Sequence, residues 1–579
     1  HKGLTEKRST LGLFIFFLGV VAVVVGLSVS LAKGSDGSGE DNPPEDAVQV
    51  FPPVLRDLQE RKVLRCGTNK YEGFGFSFTS NITKEREGIE IDLCKAIAAA
   101  ALGSSYRYKL VPTATATSRF VNLASGEYDV LIASTTHTFD RDVHESSSGV
   151  GFSFSTPYLY GGMTFNGVPE YVKCADNVSV IKECANIRIC SQLGTTWYDV
   201  TTKLFPASKI VITNEQGESI QSLIEGKCNV IQGEQYEAPE SVVRASGYVG
   251  PYAQGGNHFT KEPLAMVTRD GDPEFAHFVN AVFQSLLDAE KANITMATAV
   301  SFAQTGETFG DEYKDMYKNA LAAVGNYGEI YAKHLESISP RLKVNMINDG
   351  TTGLLYSHPF GKADTVGPGP IKSGIIENIL ERGFLRCGIP PGNELSVGLD
   401  IEFCRAIAGS ILQRGPDDVS FKRVSASHEN ISQALESGDI DVYAGGVVDT
   451  MSDTTRSGLS FSSTYFYEDP SGNSTASKAI TLGAQEADAQ WTDLVYWVVM
   501  ATTYAEENGI TQMTSNEMPL INLFGVGLER LFRDAILAVG NYGEMYRRVF
   551  GQNATRVGRN MLNASPFGPQ HYPLLKLSG

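Results

Sequence analysis

A duplication constrains this chain more than any other feature. Five segments occur twice in the same order: LRCG at 64–67 and 385–388, GIEIDLCKAIA at 88–98 and GLDIEFCRAIA at 398–408, LASGEYDV at 123–130 and LESGDIDV at 435–442, GFSFSTPY at 151–158 and GLSFSSTY at 458–465, and AVGNYGEIY at 323–331 and AVGNYGEMY at 538–546. Ordered matches of this kind indicate two copies of one domain.

The spacing of the repeats shows that the second copy is shorter. The first four pairs are separated by 321, 310, 312 and 307 residues, but the last pair is separated by 215. The second copy therefore lacks roughly 90 residues between Tyr465 and Ala479, which is the size of a small α/β lobe. The corresponding stretch of the first copy runs from Leu159 to Glu262.

Within a copy, strand and helix patterns alternate. In the first copy, the hydrophobic pattern predicts a strand at 62–67, an amphipathic helix at 88–102, an alternating strand at 106–111 and a buried strand at 129–133. This order favours a parallel or mixed sheet with helices on both faces. In such sheets ligands lie at the carboxyl ends of the strands.

The amino-terminal region predicts a membrane helix. Residues 11–32 carry no charge, and 22 residues at about 1.5 Å each span a hydrocarbon core of about 30 Å. Three basic residues within 1–10 precede this segment, so we expect 1–10 in the cytoplasm and 33–579 outside. The alternative is a signal peptide cleaved after Ala32. We favour a retained, single-pass signal-anchor because the apolar run is longer than a usual signal core.

Cysteines and glycosylation motifs agree with an exported chain. The eight cysteines are even in number, and none lies in a C-x-x-C pair, which favours disulfides over zinc. Asn-x-Ser/Thr acceptors for N-glycans occur at Asn81, Asn177, Asn293, Asn430, Asn473, Asn553 and Asn563. The net charge of −18 argues against nucleic-acid partners, and we expect no metal or cofactor.

Low-complexity segments set the predicted domain limits. Residues 33–54 are rich in Gly, Ser, Pro and acids and predict a flexible stalk, and 341–371 predicts a linker. The complete copy then occupies 55–340, with lobe 1 at 55–158 and 263–340 and lobe 2 at 159–262. The degenerate copy occupies 372–579.

Six motifs make the family recognisable: VLRCGTNKYEGFGFSF at 63–78, GIEIDLCKAIAAAALG at 88–103, LASGEYDVLIASTTHTFDRD at 123–142, CSQLGTTW at 190–197, IEGKCNV at 224–230 and VGNYGEIY at 324–331. They resemble the periplasmic polar-amino-acid-binding proteins of bacterial ABC importers, most closely the general L-amino-acid branch. The resemblance implies an α/β clamshell of two lobes, joined by two hinge strands, that closes on its ligand. A second, single-lobe copy would follow it.

The resemblance also implies a set of ligand contacts. Arg141 matches the arginine that grips the carboxylate, for which a guanidinium fork suits better than lysine. Glu234 matches the ammonium acceptor, although the family usually has aspartate there. The remaining expected contacts are Ser134 and Thr136 beside Arg141, Gly194, Thr195 and Thr196 in the anion-holding turn of the second lobe, and Asn69, Tyr71 and Phe74 in the front wall.

Each of these residues has a structural alternative. Arg141 could form a surface ion pair with a neighbouring acid, and the Gly-Thr-Thr turn could be an ordinary helix N-cap. Ser134 and Thr136 could cap a loop, and Tyr71 and Phe74 could be core or rim aromatics.

The second copy has lost these groups. Alignment of 129–141 with 441–453 places Gly446 and Val448 where Ser134 and Thr136 stand. Asp453 replaces Arg141, and Arg456 lies three residues later, where it would face another direction. We expect this copy to bind no amino acid and to act as a structural or partner-binding domain.

The duplicated cysteines suggest a pairing. A strand and the following helix carry Cys66 and Cys94, and the pair recurs as Cys387 and Cys404. This predicts Cys66–Cys94 and Cys387–Cys404. The other four cysteines all fall in the second lobe of the first copy, where we predict Cys174–Cys184 and Cys190–Cys228. Reduced, buried thiols are the alternative.

Three functions compete. The first is capture of a free L-amino acid or a similar small zwitterion by lobe closure. The second is a ligand-free surface glycoprotein that uses residues 372–579 to contact a protein partner. The third is an enzyme, since some relatives of this fold are dehydratases and Glu234 or His137 could act as acid or base. No paired catalytic constellation appears, so we expect no enzyme.

Overall fold

The computed structural model describes residues 52–70, 73–80, 82–234, 236, 238–346, 373–391, 397–448, 458–468 and 479–562. Several predictions fall outside these ranges: the membrane segment 11–32, Tyr71, Asp453, Arg456, Asn81, Asn473 and Asn563. Within the ranges, no helix combines the length and the apolar character needed to cross a bilayer.

The first copy contains thirteen strands and eleven α-helices in the described residues. The strands are β1 (Leu64–Asn69), β2 (Phe78–Thr79), β3 (Arg86–Glu87), β4 (Tyr108–Thr113), β5 (Val130–Thr136), β6 (Phe152–Phe154), β7 (Leu159–Gly161), β8 (Met163–Gly167), β9 (Ile189–Gln192), β10 (Ile210–Thr213), β11 (Val230–Glu234), β12 (Ala253–Gln254) and β13 (Glu262–Arg269). The helices are α1 (Val54–Arg61), α2 (Ile89–Leu102), α3 (Ser118–Ala124), α4 (Phe139–Val143), α5 (Pro169–Asp176), α6 (Thr196–Leu204), α7 (Gln216–Ile224), α8 (Glu240–Ala245), α9 (Pro273–Lys291), α10 (Met316–Val324) and α11 (Tyr327–His334).

Two sheets form the two lobes of the first copy. The first sheet has the order β4-β1-β5-β13-β6, with β7 also paired to β13. The second sheet has the order β10-β9-β11-β8-β12. The chain passes between the sheets twice, from β7 to β8 and from β12 to β13. The predicted α/β clamshell with two connecting segments is therefore the fold of the first copy.

The second copy contains a single large sheet in its described part. Its strands are β14 (Leu385–Ile389), β15 (Val419–Arg423), β16 (Val442–Val448), β17 (Leu459–Phe461), β18 (Phe466–Tyr467) and β19 (Ala479–Gln485). Its helices are α12 (Gly374–Arg382), α13 (Val397–Leu412), α14 (His428–Glu436), α15 (Ala489–Glu507), α16 (Leu531–Val539) and α17 (Tyr542–Phe550). The strand order β15-β14-β16-β19-β17, with β18 on β19, repeats that of the first lobe.

Equivalent side chains make equivalent contacts in the two copies. The Tyr327 hydroxyl donates to the Tyr158 carbonyl at 2.6 Å, and the Tyr542 hydroxyl donates to the Tyr465 carbonyl at the same distance. Each tyrosine follows an asparagine that caps its helix in a reciprocal capping box. The repeated sequence therefore encodes a repeated packing arrangement.

All four predicted cysteine pairs are disulfides in the structure: Cys66–Cys94, Cys174–Cys184, Cys190–Cys228 and Cys387–Cys404. The first and last of these join a central strand to the helix that packs on it, at the same place in each copy. The reduced-thiol alternative does not hold.

The first copy extends slightly beyond the limits expected from low complexity. Val54, the last residue of the predicted stalk, is buried and begins α1, where its N–H donates to Asp272 at 2.6 Å. Asn345, within the predicted linker, is buried and accepts from the Tyr160 N–H at 2.8 Å. Such single contacts cannot be predicted from composition.

Candidate ligand-binding site

A cleft of about 230 Å³ lies between the two lobes of the first copy. Eight of the ten predicted contact residues line it: Asn69, Phe74, Ser134, Thr136, Arg141, Thr195, Thr196 and Glu234. Tyr71 lies outside the described residues. Gly194 does not line the cleft, but a Cβ atom at this position would lie 2.7 Å from the Thr117 side chain of the first lobe. Gly194, at φ +78°, therefore lets the two lobes approach closely.

Arg141 is buried at the cleft without an ion pair, although the carboxyl group of Glu262 is close enough to interact with its charge. It sits on α4, directly after β5, with only 6% of its surface exposed. One guanidinium nitrogen donates to the Thr136 carbonyl at 2.8 Å, and the guanidinium carbon lies 5.3 Å from the centre of the Phe120 ring. Arg141 forms no ion pair with any described residue, so the surface ion-pair alternative does not hold. A buried cation without a counter-ion is costly unless an anion joins it.

Ser134 adopts a strained backbone that a buried acid holds in place. Its φ is +45°, which is rare for a residue with a side chain. Both its N–H, at 2.5 Å, and its hydroxyl, at 2.8 Å, donate to one oxygen of Glu90. In the second copy the equivalent residue is Gly446, at φ +71°. The backbone bend is thus shared by the copies, whereas the hydroxyl belongs to the first.

Glu90 was not predicted as a site residue. It is fully buried on α2 and lines the cleft, and its second carboxylate oxygen has no hydrogen-bond partner. Burial raises the pKa of Glu90 above its usual value, while hydrogen bonds from Ser134 and Tyr158 oppose this shift. The sequence shows only an acid at the start of an amphipathic helix, so its inward position was not visible.

Glu262 connects the lobes and was also missed. It is fully buried at the start of β13, where the chain returns to the first sheet. It accepts hydrogen bonds from the hydroxyls of Thr136, in the first lobe, and Thr196, in the second. Burial raises the pKa of Glu262, and the threonine hydrogen bonds and the nearby charge of Arg141 act in the opposite direction.

The two threonines of the second-lobe turn have different roles. Thr195 is the N-cap of α6: its hydroxyl oxygen accepts from the Tyr198 N–H at 3.2 Å, and its hydroxyl hydrogen goes to the Gln192 carbonyl. The N-cap alternative is therefore correct for the Thr195 side chain. The Thr196 hydroxyl instead reaches across to Glu262.

Glu234 and the front-wall residues lie at the edges of the cleft. Glu234 ends β11, is buried, and lies against Gly161, where a side chain would collide with its carboxylate. Asn69 ends β1, at the carboxyl edge of the first sheet. Phe74 is 46% exposed and packs beside Phe78 at 4.9 Å, so it is a rim aromatic.

A second guanidinium, that of Arg119, faces the same cleft. It lies on α3, is 5% exposed and forms no ion pair with the described part of the chain. One nitrogen donates to the Ala133 carbonyl at 2.9 Å, and Nε has no hydrogen-bond partner. Burial and repulsion from Arg141 lower the pKa of Arg119 to about 10. The sequence offered no signal for it, because a lone arginine at the start of a helix is usually exposed.

The second copy provides no comparable site in its described residues. Gly446 and Val448 stand at the end of β16, so the two hydroxyls are missing. No second-lobe sheet is present there to oppose this edge.

A two-lobed α/β fold with a charged cleft between its lobes is typical of solute-binding proteins. A family model described as bacterial extracellular solute-binding proteins, family 3, matches residues 64–295. The "Glutamate/glutamine/aspartate/asparagine-binding protein BztA" of Rhodobacter capsulatus is 30% identical over 333 residues, which cover 53% of this chain and 93% of that protein. The chain belongs to this family.

Two further similarities extend the comparison. The "General L-amino acid-binding periplasmic protein AapJ" of Rhizobium johnstonii is 27% identical over 311 residues, covering 50% of this chain and 86% of that protein. A solved periplasmic binding protein from Brucella ovis, with glutathione bound, is 26% identical and covers 52% of this chain and 96% of its own, with a TM-score of 0.43.

Proposed function

We propose that the first copy captures a free L-amino acid by closing its two lobes around it. The observation that carries this proposal is the buried Arg141 guanidinium, which lines the cleft without an ion-pair partner among the described residues. A ligand carboxylate would neutralise it through a bidentate contact. The ligand ammonium would lie near Glu234, on the second lobe. A zwitterion bridging the lobes would favour the closed state.

The side chain of this amino acid would carry a second carboxylate. Arg119 adds a second buried guanidinium to the same wall of the cleft, without an ion pair among the described residues. A second ligand carboxylate would add to the compensation that the more distant acids Glu90 and Glu145 provide. An acidic amino acid satisfies both cations. The name of the BztA relative includes glutamate and aspartate among that protein's ligands.

We place residues 33–579 outside the cell or in a lumen, held by residues 11–32. The four disulfides support an oxidising compartment. The four glycosylation motifs within the described ranges, at Asn177, Asn293, Asn430 and Asn553, all have exposed asparagines. We propose that they carry N-glycans.

Binding without catalysis is the simplest use of this cleft. The relatives BztA and AapJ are named as binding proteins. His137, suggested as an acid or base, does not line the cleft with Glu234, because it stacks on Phe154 in a different cavity. The two residues therefore do not form a catalytic pair.

The competing function is a ligand-free scaffold. It is favoured by the second copy, in which the equivalents of the ligand-holding hydroxyls are absent. In that case no amino acid would bind the first copy either.

Calorimetric titration of the full chain in detergent, with each of the common L-amino acids, separates the two functions. We expect saturable binding that is strongest for L-glutamate or L-aspartate. Arg141→Met should weaken it at least about 30-fold, because a buried charge pair loses one partner. Arg188→Met, which removes an exposed arginine of the second lobe, should leave the affinity unchanged. Absence of binding for every amino acid would establish the scaffold.

A further inference from the structure

The short helix α4 faces two different parts of the protein. Arg141, near its middle, lines the ligand cleft. Asp142 and Val143 follow Phe139 by three and four residues, so both lie on the same side of the helix as Phe139, opposite Arg141. Phe139 has no exposed surface and belongs to the hydrophobic core of the second copy, against which Val143 also packs. One turn of helix therefore joins the ligand site to the second copy.

Trp497 of the second copy makes the central contact with this face. It is fully buried on α15, and its indole N–H donates to the Asp142 carboxylate at 2.7 Å. Its ring also lies 5.1 Å from the Phe139 ring in an edge-to-face arrangement. The other carboxylate oxygen of Asp142 lies 3.0 Å from His137 Nε2. The Asp142 side chain is thus fixed from both copies.

Trp497 is not part of the repeated pattern. Asp272 and Asp488 cap α9 and α15 through the same hydrogen bond, to the N–H three residues later. When the two helices are aligned on these caps, Trp497 of the second copy is equivalent to Ala281 of the first. An indole that reaches the other copy therefore stands where the repeat otherwise has a methyl group.

Within the first copy, the Arg141 guanidinium has one hydrogen bond, to the Thr136 carbonyl, and lies over the Phe120 ring. A helix of five residues is too short to be stable without tertiary packing. The helix packs on both copies: on β6 of the first copy and on α15 of the second.

We propose that the truncated second copy acts as a positioning domain for the ligand site, with the Trp497–Asp142 contact fixing the orientation of Arg141. This inference rests on the proposed function, in which Arg141 holds the ligand carboxylate. It gives the degenerate copy a role although it lacks ligand groups of its own. Trp497 is a positioning residue, since it acts on the ligand through Arg141.

The α15 helix offers a matched pair of variants. Trp491 is also fully buried there, but its indole N–H donates to the Asp441 carbonyl at 2.9 Å, within the second copy. Each variant therefore removes one indole hydrogen bond. Trp497→Phe removes a bond between the copies, and Trp491→Phe removes a bond within the second copy. Titration of the full chain with L-glutamate and L-glutamine should show about tenfold weaker binding for Trp497→Phe and unchanged binding for Trp491→Phe.

A double-mutant cycle shows whether the effect passes through Arg141. In an Arg141→Lys background, Trp497→Phe should cause no further loss of affinity, because the group it positions is already changed. Asp142→Ala removes the same contact from the first copy and should weaken binding to the same extent. If Trp497→Phe does not fold, Asp142→Ala still tests whether this contact affects the affinity.

The outcomes separate this inference from the proposed function. If the wild-type chain binds and Trp497→Phe binds equally well, the positioning role is overturned while capture stands. The same conclusion follows if Trp497→Phe lowers the affinity as much in the Arg141→Lys background as in the wild-type chain. If the wild-type chain binds no amino acid, the proposed function fails and the positioning role fails with it.

Discussion

The Thr196 hydroxyl donates to the Glu262 carboxylate at 2.8 Å. This hydrogen bond links the second lobe to the start of β13, where the chain returns to the first lobe. The Thr136 hydroxyl of the first lobe donates to the same carboxylate. A single buried acid therefore draws the two lobes together without a ligand. Closure should then depend on hydroxyls that are already paired within the protein.

Loss of the Thr196 hydroxyl should open the cleft of the ligand-free protein. Thr196→Val keeps the shape of the side chain but leaves Glu262 without its partner in the second lobe. We expect a larger radius of gyration in small-angle X-ray scattering without ligand, and the wild-type value with saturating L-glutamate.

The neighbouring Thr195→Val is the control for this prediction. The Thr195 hydroxyl bonds only within the second lobe, so its removal should cost the α6 cap about 1 kcal/mol of stability without opening the lobes. Equal scattering from the two ligand-free variants would argue against the Glu262 link.

Replacement of Arg119 should change the preference for acidic over amide side chains. Arg119→Met removes the second guanidinium of the cleft, so we expect L-glutamate to bind at least about 30-fold more weakly while L-glutamine loses less than about threefold. Calorimetric titration of both ligands provides the comparison. Lys70→Met, which removes an exposed cation at the same cleft, should affect both ligands only slightly. An equal loss for the two ligands would assign Arg119 a structural role.

The contact between the copies should make stability depend on pH. Burial, with added repulsion from Asp142, raises the pKa of Asp270 from 3.8 to about 7. Asp142, Asp493 and Glu486 nearby also have raised pKa values, mainly through burial. A carboxyl group whose pKa is higher in the folded state holds its proton there to higher pH. The stabilisation of the folded state that comes from this raised pKa is complete below about pH 4 and is lost as the pH rises through 7.

Asp270→Asn should remove part of this dependence, since the amide resembles the protonated acid and can still accept from the Ser153 hydroxyl. Relative to the variant, the wild-type melting temperature should fall between pH 4 and 8. Burial lowers the pKa of His137 to about 3 and that of His277 to about 4, but both residues are present in the two proteins. The difference between the melting curves therefore isolates Asp270. Parallel curves would show that folding does not shift the pKa of Asp270.

Local sequence patterns carried much of the fold. The five repeated segments indicated two copies, and the change of spacing located the missing lobe, because both are visible along the chain. The strand and helix that carry Cys66 and Cys94 recur with Cys387 and Cys404, so these two disulfides could be predicted from the repeat. Arg141 could be assigned to the cleft because the consecutive residues around it resemble the family's motif.

Adjacent residues of similar type were harder to separate. Thr195 and Thr196 look equivalent in the sequence, yet one caps its own helix and the other reaches the hinge. Which hydroxyl faces the other lobe depends on the direction in which α6 starts, and that direction is fixed by the sheet on which α6 packs.

The sequence by itself determined that two related α/β domains follow one another, that the second has lost a lobe, and which motif holds the candidate carboxylate-binding arginine. Only the tertiary structure decided that Glu90 supports Ser134, 44 residues away, that Glu262 joins the lobes, and that Trp497 reaches Asp142 across 355 residues. The reason is physical: a buried charge or indole selects its partner by proximity in the folded chain, and no local pattern records which distant residues folding will bring together.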